Sequence, residues 1–402
     1  MVSLRIFIAS LAAAFSLSGQ LAAHEDCARI GETCIPASDH KYQLRIGPQT
    51  PTLDSLQQLH GVQDLTLMAE LRYDQPLDLT PLLDLPNLEK LALVGIHTAD
   101  LALLAQLTTL KRLSLDSVSA PDFTPLATLS NLEHLSIWGV DTVTDLDFAR
   151  GLRRLQSLNI AGTGVTDLSP LSGLDTLEIF LAFDTGITDL SPLAASNLRV
   201  AWISNCPVRN LTPLAASSRL EMLRADGTRL QTLDGLEGKA GLQTVILSGT
   251  PVADLGPLSG ASALRELALE DTQVRELSPL SQLRALRKLK LNGTPVTSLA
   301  PLAGIGIQEL SVTDSALGSL AGVQNLPYLR DFNISGTAVA DLSPLAGLKH
   351  LAILRAVGLS PQTLRPVADL ESLRIVLTGA DQANHRRLLG REQIRSFFAA
   401  AP

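Results

Sequence analysis

A chain of 402 residues that is 46% hydrophobic, 3% aromatic and 18% charged is too rich in apolar side chains to be disordered. It is also too long for one ordinary core, which stops growing near ~250–300 residues. A net charge of −8 argues against nucleic acid as a partner, because binding it depends on a basic surface that neutralises phosphates. In chain order, residues 1–23 read as a secretory signal peptide. Arg5 supplies the positive start, Ile6 to Leu17 is uncharged and apolar, and Ala22-Ala23 precede the polar His24-Glu25-Asp26. The pattern predicts a Sec-exported protein, secreted or periplasmic. No later stretch reaches the ~18–20 unbroken apolar residues of a membrane helix.

Residues 24–55 read as an N-terminal cap with a degenerate first strand at Leu44-Arg45-Ile46. An oxidising compartment favours a disulfide there between Cys27 and Cys34. From 56 to 360 the chain repeats itself. The frame Leu155 to Leu171 returns at Leu242, Leu264, Leu286 and Leu329 with a period of about 22 residues. Thr163, Thr185, Thr228, Thr250, Thr272, Thr294 and Thr337 mark the period, with Cys206 and Ser315 filling two gaps. In Leu158-Asn159-Ile160 the period of two predicts a short strand whose leucine-type residues face inward. Gly162-Thr163 then turns the chain, and the Thr163 hydroxyl is expected to bond the backbone of the next coil, making a ladder down the stack. Ser169-Pro170 reads as a short helical turn, with Ser as its cap and Pro at its first position. An excess of about four residues between Leu67 and Leu93, around Tyr73 to Pro76, predicts a local protrusion.

Residues 361–402 read as a last irregular repeat, with Val376 and Thr378 in its strand, followed by a C-terminal capping helix. Ile394, Phe397 and Phe398 make the apolar stripe of that helix. A membrane- or partner-binding helix is the alternative use of such a stripe. The fold class that follows is an α/β solenoid: a curved stack with a parallel concave β-sheet and short 3-10 turns on its outer side.

The run Asp-Leu-Ser-Pro-Leu at 167–171, 189–193 and 341–345, about a dozen residues after a LxxLxL strand, resembles the internalin-type leucine-rich repeats of bacteria. The resemblance implies a surface or secreted protein that grips a protein partner with the concave sheet. This chain departs from it by holding the ladder position with Thr rather than Asn. The Ala-, Arg- and Leu-rich style also points to an exported bacterial protein.

Strand residues that flank the core leucines face the hollow of such a stack. Trp138, Phe183, Trp202, Leu181, Ile179, Val200, Met222 and Arg224 fall on neighbouring coils there and form the expected partner-binding patch, with Ala161 leaving room for a shallow pocket. Cover by the protein's own chain and self-association are the competing readings. Further on, Glu266, Glu270, Lys288, Lys290, Glu309 and Asp331 make bands of charge, either partner-selecting or simply solvated. No zinc spacing, phosphate loop or nucleophile turn occurs, and a grouping of His134 with Asp116 and Ser136 lacks an oxyanion hole. The expectation is a non-enzymatic protein-binding module without cofactors. The alternative is a surface adhesion protein or one that binds glycans or envelope components.

Overall fold

The computed structural model describes residues 27–30, 33–36, 40–47, 53–70, 75–360, 362–381 and 384–400. The segment 1–23 and Tyr73 of the expected protrusion lie outside them. Strands β1 (Cys27–Ile30) and β2 (Thr33–Pro36) form an antiparallel hairpin that pairs Cys27 with Pro36 and Arg29 with Cys34. The expected Cys27–Cys34 bridge concerns side chains outside the described set.

Among the described residues, 17 strands then make one open sheet. Its first members are β3 (Lys41–Ile46), β4 (Asp64–Ala69), β5 (Lys90–Val94), β6 (Arg112–Asp116), β7 (His134–Ser136) and β8 (Ser157–Asn159). The centre is β9 (Ile179–Leu181), β10 (Val200–Trp202), β11 (Met222–Arg224), β12 (Thr244–Ile246) and β13 (Glu266–Ala268). The remainder is β14 (Lys288–Lys290), β15 (Glu309–Ser311), β16 (Asp331–Asn333), β17 (Ile353–Arg355), β18 (Ile375–Gly379) and β19 (His385–Leu389). Strands β3 to β18 run parallel, each paired only with its sequence neighbours, and β19 returns antiparallel along β18. The result is a curved leucine-rich-repeat solenoid. Helix α1 (Gly390–Ala400) follows, with Ile394 and Phe398 buried in the common core.

Why this sequence coils is visible in one repeat. Each strand and the residue after it supply two inward core residues: Leu158 and Ile160, for example, are wholly buried while Ser157 and Asn159, which alternate with them, are not. The next corner needs a left-handed residue. Gly162, Gly227, Gly249 and Gly293 take φ near +70° there, and Asp184, Asn205, Asp271 and Asp314 take the same region in their coils. Asx residues and Gly are the types for which that conformation is least costly. One coil buries little alone, whereas each Leu, Ile or Val sandwiched between coils gains roughly 1.5–3 kcal/mol, so stacking is compulsory.

The threonine ladder differs from the expectation. Thr163 donates to Ile160 O at 2.7 Å, and Thr250, Thr272 and Thr294 donate to Leu247 O, Leu269 O and Leu291 O. Each hydroxyl closes its own corner, three residues back, instead of reaching the next coil. Cys206 is the one that crosses: its thiol meets Ala182 O at 3.0 Å and the Thr185 hydroxyl at 3.2 Å. Burial pushes that thiol above its ordinary range.

The outer turns bring a second correction. Ser169–Leu171 is a 3-10 turn, but Ser169 does not cap it. The carboxylate of Asp167 does, accepting the Ser169 backbone N–H at 2.8 Å and its hydroxyl at 2.7 Å. The same clasp joins Asp189 to Ser191 and Asp341 to Ser343. These bonds hold the carboxyls below the usual range, the serine hydroxyl contributing most at Asp167 and Asp189 and the backbone N–H most at Asp341. A carboxyl lowered in the folded state contributes stability above its unfolded value near 3.8, and this is lost as pH falls through the folded value. Below pH ~4 the melting temperature should therefore drop. A triple Asp167→Asn, Asp189→Asn, Asp341→Asn variant should show a shallower drop, since Asn still accepts the N–H but does not titrate, as Asn210 already does for Thr212. Parallel acid profiles for the two proteins would refute the assignment.

Candidate functional site

The parallel register converts the repeat into columns on the concave face. Ser157, Ile179, Val200, Met222 and Thr244 stand in one row across the strands. Asn159, Leu181, Trp202, Arg224 and Ile246 stand in the next. Strands lie ~4.8 Å apart, so residues in a row are near neighbours. Every one of these side chains points away from the core because the residue between them, such as Phe180 or Ala201, points in and is buried.

A hollow of about 560 Å³ opens over β9 to β14, floored by Ile179, Leu181, Val200, Trp202, Met222 and Ile246. Trp202 is held firmly in it. Its indole Nε1 donates to Ser204 Oγ at 2.8 Å, and Ser204 donates to Asp226 Oδ1 at 2.6 Å. The Phe183 ring packs on it with centroids 4.5 Å apart, and the Arg224 guanidinium carbon lies 4.2 Å from the Trp202 centroid. A ring fixed by a hydrogen bond, an aromatic neighbour and a cation loses little freedom on binding.

Trp138 stands apart. It is 39% exposed, three coils before Trp202, and does not line this hollow. Ala161, where a shallow pocket was expected, is wholly buried, its N–H donating to Asn159 Oδ1. The hollow instead extends the other way, to Ile246 and Ala268, which are not among the patch residues expected from the sequence.

On the other side of Leu181 lies a smaller hollow of about 310 Å³ over β4 to β9, edged by polar side chains. Asp116 organises its polar row: Ser114 and Ser136 each donate to it at 2.7 Å, and Asn159 donates to the Ser136 hydroxyl at 3.2 Å. His134 faces this hollow, its pKa lowered mainly by burial and then by the Arg112 charge. The Ser136 hydroxyl is committed to Asp116 and not to His134, so the three do not form a nucleophile–base pair. Glu266, Glu270 and Lys290 form the far wall of the apolar hollow, and from there on the charges pair across strands. Lys288 meets Glu266 at 3.3 Å and Glu309 at 3.8 Å, Lys290 meets Glu270 at 3.4 Å, and Arg355 meets Asp331. Among the described residues no cluster of His, Cys, Asp or Glu could hold a metal, and no helix is long and apolar enough to cross a membrane.

No protein-family model matches the chain, and no curated protein does. Solved structures do match. A leucine-rich-repeat protein of Leptospira interrogans superposes with a TM-score of 0.73 at 19% identity, over 85% of this chain and 90% of that one. An internalin of Listeria monocytogenes gives 0.57 at 17% identity, over 87% and 89%. An Arabidopsis receptor kinase, solved with a peptide hormone and a co-receptor, gives 0.55 at 15% identity, over 83% and 67%. The chain thus has the leucine-rich-repeat fold found in internalins and in receptor ectodomains.

Proposed function

We propose that the chain is a non-enzymatic module that captures a protein partner on its concave face, outside the cytoplasm. The carrying observation is the apolar floor of Ile179, Leu181, Val200, Trp202, Met222 and Ile246, on strand positions that the core leaves facing outward. Large apolar patches on a soluble surface mark interfaces, and a pinned Trp beside Met and Arg is the composition of an energetic centre. The signal-like segment 1–23 supports export, to the periplasm or beyond, with residues 24–55 and 361–402 as the two ends that shield the array. The partner is then a cell-surface or envelope protein. Phe183 braces Trp202, and Trp138 is a separate exposed anchor on the same face.

Replacing Trp138 and Trp202 together with Ala should weaken capture of a partner from envelope extract by about thirtyfold, the loss of one hot-spot residue of ~2 kcal/mol. The melting temperature should stay within about 2 °C, because neither indole fills the core. Unfolding of the double variant would make the patch structural and end this reading. A second reading, glycan or envelope recognition in an adhesive role, draws on the row of Ser114, Asp116, Ser136 and Asn159, whose hydroxyls, carboxylate and amide suit a sugar. Retention on a glycan array that is lost on Asp116→Ala, with Trp202→Ala silent, would favour it over protein capture.

A further inference from the structure

Arg224 sits in the middle of the apolar hollow, between Trp202 on β10 and Ile246 on β12. Other cations of this face meet carboxylates: Lys90 with Asp64, Lys288 with Glu266, Lys290 with Glu270, Arg355 with Asp331. Arg224 makes no ion pair among the described residues, and its Nε is buried without a hydrogen-bond partner. Arg112, also unpaired among the described residues, is exposed, so water serves it. The nearest acid along the strand, Asp226, is engaged by the Ser204 hydroxyl. Arg224 is half-buried; its Nε has lost water and gained no acceptor, which is costly, and the planar fork of its remaining donors matches a carboxylate.

We propose that Arg224 anchors a carboxylate of the partner, and specifically an Asp or Glu side chain set inside an apolar segment. The inference rests on the reading of this hollow as a docking surface. Placement argues for a side chain over a chain terminus. Apolar groups stand on both sides of Arg224 along the stack, Leu181 and Trp202 in its row before it and Ile246 after it, with the Glu266, Glu270 and Lys290 wall beyond. A segment covering both sides therefore carries its acid in mid-chain. The Trp202 ring holds the guanidinium in place in advance, and the apolar floor excludes water that would weaken the pair.

The test uses the immobilised full chain and three synthetic heptapeptide libraries. Two are acetylated and amidated, with Leu, Ile or Phe around a fixed central Glu or a fixed central Gln. The third carries the same apolar residues and a free C-terminal carboxylate. The wild type should retain the Glu library at least about tenfold better than the Gln library. Arg224→Gln should bring that preference to within about twofold while apolar retention persists. Arg224→Lys, which keeps the charge and loses the fork, should fall between the two, and it gives the same answer if Arg224→Gln does not fold. Equal retention of Glu and Gln peptides, a preference that survives Arg224→Gln, or stronger retention of the free-carboxylate library would each overturn the anchor. If binding is equal for Glu and Gln but lost on Trp202→Ala, the docking surface stands without the anchor. If the wild type retains no library, both fall.

Discussion

Alanine in place of Phe180 should destabilise the array by about 3–5 kcal/mol, the range for emptying a buried aromatic site. The reason lies in how bulk alternates through the central coils. Down one core column the residues run Leu158, Phe180, Ala201, Leu223; down the next they run Ile160, Ala182, Ile203, Ala225, all essentially inaccessible to solvent. The ring of Phe180 thus lies next to small residues of its own coil and of the following one, filling the space they leave. Removing it puts three alanines together, and packed coils held by their neighbours collapse little around such a void. Phe180→Leu, which restores the usual repeat residue, should cost no more than about 1.5 kcal/mol. Adding Ala201→Leu to Phe180→Ala should recover part of the loss, because the two sites share one cavity. Urea unfolding of the wild type, these three variants and Ala201→Leu alone decides it. Strict additivity of the two changes would mean that Phe180 and Ala201 do not fill a common space.

Phe180 is also the residue that turns its neighbours Ile179 and Leu181 to the concave face, so stability and site meet in one short strand. That connection explains what was legible in the sequence. A strand of period two inside a repeat of about 22 residues gives the register of every column at once. The assignment of Trp202, Leu181, Ile179, Val200, Met222 and Arg224 to one face followed from counting. What counting does not give is local depth. Ala161 and Phe183 share a column, yet the small one sinks between its neighbours and the large one leans on Trp202.

Hydrogen-bond partners were equally hidden, since residue type does not say which carbonyl a threonine hydroxyl takes. Lys239 is the extreme case. Its position is Leu174, Ala261 or Leu283 in other coils, and by type it reads as solvated; instead it is 3% exposed and donates to Ala215 O and Ser217 O. It continues a buried polar vein in which Ser196 donates to Leu174 O and Ser217 to Ser196 O. Three polar residues in successive coils at an apolar position were the available signal.

Gly235→Ala should be the other severe change, at about 2–5 kcal/mol, combining left-handed strain with overpacking. Most outer turns carry Pro in the position before their last core residue, as in Ser169-Pro170-Leu171, but Asp234-Gly235-Leu236 and Ala321-Gly322-Val323 carry Gly. These two coils use another device. Gly235 and Gly322 adopt φ of +102° and +97°, which proline forbids. Their backbone N–H groups, absent in proline, donate to Glu237 Oε2 at 2.7 Å and Gln324 Oε1 at 2.9 Å. The clasp that Asp167 forms from before the turn is here formed from after it. A methyl on Gly235 would lie 2.3 Å from Leu211 O and 2.8 Å from the carbonyl carbon, both backbone atoms of the preceding coil. Neither can yield without shifting that coil. Gly322→Ala should act in the same direction, with the Ala300 Cα 2.8 Å away. Gly241 is the control from the same coil as Gly235: a methyl there meets nothing within 4 Å, so Gly241→Ala should change stability by less than about 1 kcal/mol, and its sign is set by chain entropy. Equal unfolding midpoints for Gly235→Ala and Gly241→Ala would show that the outer turn tolerates a side chain, and the two-device account of these coils would be wrong.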